Sequence, residues 1–232
     1  LKQRIEGVEK GNGQNVTLSF WGRTEQADDC ILRLIQNFGS GGSTQTNTDS
    51  GTIDLTTSWQ YFTHTFALPS TSGKTVGTNH FLELEFIFGP ATLNSYFDIT
   101  GVQLEVGSQA TDFEQRSFAE ELQLCQRYFY PVCPKNISGQ SIGMAYYYVN
   151  TTLLGIVHYP VTMRATPTIT GADVSNYFTT THNDLMNYLL ANRITTTTLE
   201  FYNNSQASGT AMQAVIARSN NAEAFIYATA EL

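Results

Sequence analysis

Charge is what this chain has least of. Asp, Glu, Lys and Arg make up only 14% of its 232 residues, against 41% hydrophobic and 12% aromatic. Thr, Ser, Asn and Gly fill the rest, a balance of many short strands and polar turns that excludes an architecture of long helices. The net charge of −8 excludes, by simple electrostatics, a surface built for nucleic acid or an anionic membrane. No run approaches the ~20 apolar residues of a membrane span, so membrane insertion is not expected, and no secretory leader pattern is visible.

The groups that carry catalysis are scarce as well. His64, His80, His158 and His182 stand singly, with no H-x-x-x-H or H-E pattern. His64 alternates with Phe62 and Phe66, which reads as a core or rim histidine and not a base. Ser40, Ser43 and Ser50 lie in a Gly/Ser/Thr-rich stretch without a G-x-S-x-G elbow. Gly39-Ser40-Gly41-Gly42-Ser43 lacks the Gly-Lys-Ser/Thr ending of a phosphate cradle and reads as a surface loop. Three cysteines, Cys30, Cys125 and Cys133, cannot all pair and match no zinc spacing. They are expected as thiols of a protein made in a reducing cytoplasm, Cys125 buried on a helix stripe. The chain is therefore read as non-enzymatic, with no cofactor and no metal site. Asp98 and Glu105 are the acids nearest to a calcium ligand set, but no cluster surrounds them.

What is present is strand pattern. Val16, Leu18 and Phe20 alternate with polar residues, and Cys30–Phe38 is apolar on both faces like a central strand. Gln60–Leu68 places Phe62, His64, Phe66 and Leu68 together, and Leu82, Leu84, Phe86 and Phe88 alternate against Glu83 and Glu85. In Tyr96–Val106 the trio Val102, Leu104 and Val106 forms one face. Ser117-Phe118-Ala119-Glu120 is a capping box, followed by a helical stripe of Phe118, Leu122, Cys125 and Phe129.

Further strands are expected over Ile142–Val149, Leu153–Tyr159, Ile194–Tyr202, Ala211–Ala217 and Ala224–Ala230, several joined by Asn/Ser/Thr turns. His182–Asn192 fits a short helix or a strand equally. Residues 1–132 hold 8 Lys/Arg and 15 Asp/Glu, net −7, whereas residues 133–232 hold 4 and 5, net −1. That drop marks a boundary near Pro131–Pro134. The pattern predicts an all-β chain: a jelly-roll β-sandwich over 1–112, a linking helix and connector over 113–134, and a second antiparallel β-sandwich over 135–232. The start at Leu1, not Met, leads us to expect a missing N-terminus, and because such a sheet set normally needs more than the five strands read here, the first block is expected to be truncated at its front.

The stretch YFDITGVQLEVGSQATDFEQRSFAEELQLCQRYFYP, residues 96–131, resembles the junction of bacteriophage tail-fibre and related virion proteins. There it closes a jelly roll of the carbohydrate-binding type and leads into a C-terminal domain. Tyr159–Ile169, with its P--MRA-PT phrase, and the closing Ala230-Glu231-Leu232 resemble that C-terminal domain. The resemblance implies a non-enzymatic virion protein, made in the host cytoplasm and working on the extracellular particle. It would be a tail-fibre or tail-spike component that binds host surface polysaccharide, assembled as a homotrimer with other virion proteins. Two alternatives are a head decoration or fibre structural protein, and the binding module of a glycan-processing enzyme.

Four residues are candidates for glycan contact. Trp21 shares a strand face with Thr17 and Ser19, and Tyr61 with Thr63 and Thr65. Both rings thus project on polar faces, where they either stack on a sugar or pack under a loop or a neighbouring subunit. Glu83 and Glu85 point to one side of their strand. They read as a solvated face, with Glu83 or Glu85 accepting from the hydroxyls of a sugar stacked on the rings. Of the adjacent Tyr146, Tyr147 and Tyr148, alternation sends two to one face and one to the other.

Overall fold

The computed structural model describes residues 1–25, 28–88, 96–171 and 176–231. Sixteen strands and one helix stand among the described residues. The chain is all-β and divides into two compact units, Leu1–Gln115 and Arg116–Glu231.

The first unit holds β1 (Lys2–Glu6), β2 (Asn15–Thr24), β3 (Asp28–Asn37), β4 (Thr46–Leu55), β5 (Gln60–Ala67), β6 (Phe81–Phe88) and β7 (Phe97–Val106). They form two antiparallel sheets, ordered β1-β6-β3-β4 and β5-β2-β7. Alternation decides the core. Leu18 and Phe20 of β2 meet Leu32 and Leu34 of β3 and Leu82, Leu84 and Phe86 of β6, all buried. Phe20 stacks on Phe62 at 5.3 Å and meets Phe86 edge-on at 5.1 Å, the geometry aromatic quadrupoles favour.

Sequence pattern misses β1 and β4. Both are edge strands whose outward residues are charged or hydroxylic, the usual protection of an edge, and that dilutes alternation. The Gly39–Gly51 stretch, read as a loop, is one only as far as Gln45, because Thr46 begins β4. β7 also departs from simple alternation. Phe97, Ile99 and Leu104 pack on the core, and the change of parity falls at a bulge opposite Ser19–Trp21, where Gly101 takes φ +59°. Val102 and Val106, grouped with Leu104 by sequence, are exposed, the one at the bulge and the other at the strand's end.

The second unit opens with α1 (Phe118–Gln126). Its capping box forms as expected: the Glu120 amide donates to Ser117 Oγ at 3.3 Å and the Ser117 amide to Glu120 Oε2 at 2.9 Å. The expected burial of its stripe does not follow. No helix residue is buried, Phe118 is 81% exposed and the Cys125 thiol is exposed. Nine residues make only two and a half turns, and Phe129 leaves the stripe because it begins the next strand.

The strands are β8 (Phe129–Cys133), β9 (Ser141–Val149), β10 (Thr152–His158), β11 (Thr168–Gly171), β12 (Phe178–Thr180), β13 (Leu190–Ile194), β14 (Thr198–Asn203), β15 (Ala214–Ser219) and β16 (Ile226–Thr229). A six-stranded sheet, β12-β15-β9-β10-β14-β13, and a three-stranded sheet, β11-β16-β8, share one core. Tyr147, Phe178 and Phe201 are its largest fully buried members. Gly155 is there for space: a Cβ would lie 2.2 Å from the Phe201 ring.

The expected strand Ile194–Tyr202 is instead a hairpin. The Thr195 hydroxyl accepts from the amides of Thr197 and Thr198, closing the turn between β13 and β14. His182–Asn192 is neither a helix nor a full strand. Met186 pairs with Phe178 through an isolated bridge, and a strand begins only at Leu190. Arg164 of the MRA phrase donates to the carbonyls of Ala230 and Glu231 at 2.9 and 3.2 Å, tying two distant motifs together. Leu232 of the closing motif lies outside the described residues.

Candidate functional site

The outward side of β5-β2-β7 is built from residues that alternation keeps out of the core. Register sets Thr17 opposite Thr65, Ser19 opposite Thr63, and Trp21 opposite Tyr61. The Thr17 hydroxyl donates to the Gly107 carbonyl at 2.8 Å, so its 2.9 Å contact with Thr65 is one in which Thr65 donates. Trp21 and Tyr61 stand side by side, ring centroids 5.5 Å apart and tilted by 50°. They are 46% and 47% exposed, so neither is covered by a loop.

A second wall comes from the chain that follows β7. Glu105 accepts from the amide and hydroxyl of Thr111, each at 2.8 Å, and from Gln103 Nε2 at 3.1 Å. Gln103 in turn accepts from the Glu114 amide at 2.8 Å. The Thr111 amide, with the side chains of Gln103 and Thr111, holds the Glu105 carboxyl below its usual range. These bonds fold residues 108–113 back beside the sheet and bring Phe113 towards Trp21. Gly101 lies between them, where a Cβ would sit 3.6 Å from the indole and 4.0 Å from the Phe113 ring. The result is an open cleft of about 830 Å³, with a threonine floor and aromatic rims.

Beyond the cleft the same face continues through Arg23. Its guanidinium donates to Asp98 at 2.8 Å and lies over the Trp59 ring at 5.0 Å. Trp59 and Phe113 escaped sequence reasoning. Trp59 shares parity with Tyr61 and was therefore legible. Phe113 belongs to no strand, and only the Glu105 anchor places it.

Glu83 and Glu85 are not part of this constellation. They lie on β6, in the other sheet, and the expectation of a solvated acidic face is overturned for Glu83, which is 4% exposed. Arg4 Nε lies 2.7 Å from one Glu83 oxygen and Lys2 Nζ 3.7 Å from the other. Arg33 reaches Glu85 at 3.9 Å and Asp49 at 2.6 Å. The hydrogen bond between Arg33 and Asp49 raises the one and lowers the other. Basic residues at corresponding positions on β1 and β3 thus hold these acids as an ion-paired face, which alternation alone does not reveal.

The remaining candidates are placed without chemistry. His64 sets its ring edge-on to Phe66 at 4.6 Å, and burial holds the imidazole below its ordinary value. Asp98 and Glu105 have the partners given above, and no group of three or more His, Cys, Asp or Glu able to hold a metal stands among the described residues. Cys30 and Cys133 are buried, and burial pushes the Cys133 thiol up to about 11. Tyr147 turns inward and donates to Asp184 at 3.0 Å, while Tyr146 and Tyr148 turn outward. Among the described residues no helix is long and apolar enough to cross a membrane.

No protein-family model matches the chain, and no curated protein matches it. Among solved structures it is similar to an all-β one described as "CBM4 structure and function". The two are 22% identical over 46% of this chain, with a TM-score of 0.34, and the match spans 59% of that structure's own chain.

Proposed function

We propose that the first unit is a non-catalytic carbohydrate-binding module, with Trp21 and Tyr61 as the platform for a sugar ring. The observation that carries this reading is a pair of half-exposed rings side by side over a hydroxyl-lined floor. A pyranose presents an apolar C–H face to such rings while its rim of hydroxyls needs donors and acceptors, the mixture found in small-molecule sites. Glu105, the carboxylate beside the cleft, is taken up in holding the 108–113 wall, and Asp98 is paired with Arg23. Asp112 is then the one carboxylate among the cleft's lining residues, and a single acid does not make the pair that glycoside cleavage uses, so the face is one that binds and does not cleave.

The resemblance at residues 96–131 supports a finer role: a component of a bacteriophage virion, a tail fibre or tail spike, that meets the surface polysaccharide of its host outside the cell. The test is saturable binding of the purified full chain to intact candidate host cells, to cells stripped of polysaccharide, and to the isolated polysaccharide. The expected result is binding that requires the polysaccharide and is lost in the Trp21→Ala/Tyr61→Ala double variant. Equal binding by the double variant would remove this face as the site. Equal binding to stripped cells would remove a glycan as the ligand.

A further inference from the structure

The six-stranded sheet breaks the pattern of a sheet with one face in water, which should alternate apolar inward and polar outward. Inward, Ala145 and Tyr147 of β9 and Leu153 and Val157 of β10 fill the core. Outward, the same two strands carry Met144, Tyr146, Tyr148, Leu154 and Ile156. Register makes these one band: Met144 stands opposite Ile156 on one side and Ile216 of β15 on the other, and Tyr146 opposite Leu154. Strands apolar on both faces belong between two layers, and here the outer layer is missing.

The size of the band is informative. Met144 is 71%, Tyr148 58%, Ile156 45% and Tyr146 39% exposed. At about 200 Å² for each side chain, these four alone leave about 400 Å² bare. The largest patch on a typical monomer is about 300–600 Å² and often functional, and this one supplies about half of the ~800 Å² that each partner of a stable pair contributes.

We propose that, in place of the homotrimer the resemblance implies, this face is covered by the same face of a second copy of the chain, the two sheets packing across a two-fold axis that runs along the strands between β9 and β10. Two observations favour a second copy. Residues 133–232 carry only 4 basic and 5 acidic residues, so two such faces meet without repulsion and each offers the apolar surface the other needs.

The margins, moreover, carry opposite charges at matching places. Arg218 faces outward from β15, its Nε buried without an acceptor and its guanidinium without an ion pair among the described residues. Glu200 faces outward from β14, where it accepts from Asn192. In the order β15-β9-β10-β14, an axis between β9 and β10 exchanges β15 with β14. Glu200 stands in the row of Ile156, Met144 and Ile216, two residues from Arg218. Each Arg218 therefore comes within one row of the partner subunit's Glu200, close enough for the outer nitrogens of its guanidinium to pair with that carboxylate.

The mass of the full chain in solution, measured by sedimentation equilibrium across micromolar concentrations, tests this. The expected mass is that of two copies, with Met144→Glu weakening association by about tenfold or more. Arg218→Glu and Glu200→Arg should each weaken it by about tenfold, and the double reversal should restore most of the loss. If Met144→Glu disturbs folding by circular dichroism, the outward Ile156→Lys gives the same reading. A single-copy mass throughout, a three-copy mass, or a dimer indifferent to both apolar substitutions would overturn the proposal. Loss in both charge reversals without recovery in the double would overturn the two-fold arrangement.

Discussion

The two sheets of the first unit are alike inside and unlike outside. Inward, both give alternating Leu, Phe and Val to one core. Outward, β1-β6-β3-β4 sets Lys2, Arg4 and Arg33 against Glu83, Glu85 and Asp49, while β5-β2-β7 sets tyrosine and tryptophan over threonine. One outer face is satisfied within itself. The other keeps its aromatic rings half in water beside the exposed Thr63 and Thr65. Core burial makes a sandwich, and it is this asymmetry on which the proposed binding side rests.

Substitutions can separate the two faces. The largest effect on stability is expected from Glu83→Ala, which removes the nearly buried acid that Arg4 and Lys2 share. Both cations keep contact with water, so it should cost roughly 1–2 kcal/mol in chemical denaturation yet leave polysaccharide affinity unchanged; a binding defect at constant stability would mean that the faces are not independent. The converse is Trp21→Ala/Tyr61→Ala, which should lower affinity at least about tenfold, or ~1.4 kcal/mol, while the denaturation midpoint moves little. Between them stands Gly101→Ala. Its φ of +59° penalises any side chain by about 1 kcal/mol, and the added methyl lies between Trp21 and Phe113. A modest loss of both stability and affinity is expected, and loss of neither would show that the bulge does not position the rings.

The smallest effect belongs to pH. His64 lies on the inward side of β5, and burial depresses its imidazole below 6.5. The unfolded chain then takes up the proton first, so this contribution is complete above pH 6.5 and is lost as pH falls from there towards the folded value. The denaturation midpoint should decline over that window in the native protein and stay flatter in His64→Gln. Identical slopes would exclude His64 as their source.

Parity was legible in the sequence, and sheet membership was not. Trp21, Tyr61, Glu83 and Glu85 all point outward from their strands, as alternation says. Yet alternation carries no information on which strands are neighbours, and the two acids went to the other sheet. Pairing depends on contacts between residues far apart in the chain, such as Cys30 with Phe88, that no local window contains. For the same reason β2, β5, β6 and β9 were plain while the edge strands β1 and β4 were hidden by their polarity. The α1 capping box was readable because all its partners lie within four residues. The fate of its apolar stripe was not, because burial depends on what the stripe meets.

The wall formed by residues 108–113 has a thermodynamic consequence. Glu105, Gln103 and Thr111 order that wall before any ligand arrives, so a sugar entering the cleft need not freeze a loop to be held, and the entropic penalty of association is correspondingly lower. The latch is also durable in acid. A carboxyl held below its usual range keeps its charge as pH falls past 4.5 and releases the wall only on protonation at the lower folded value. Affinity should therefore be flat from neutral to mildly acidic surroundings and fall only beyond them. On the proposed reading the cleft is a socket set before its ligand arrives and kept through mild acid.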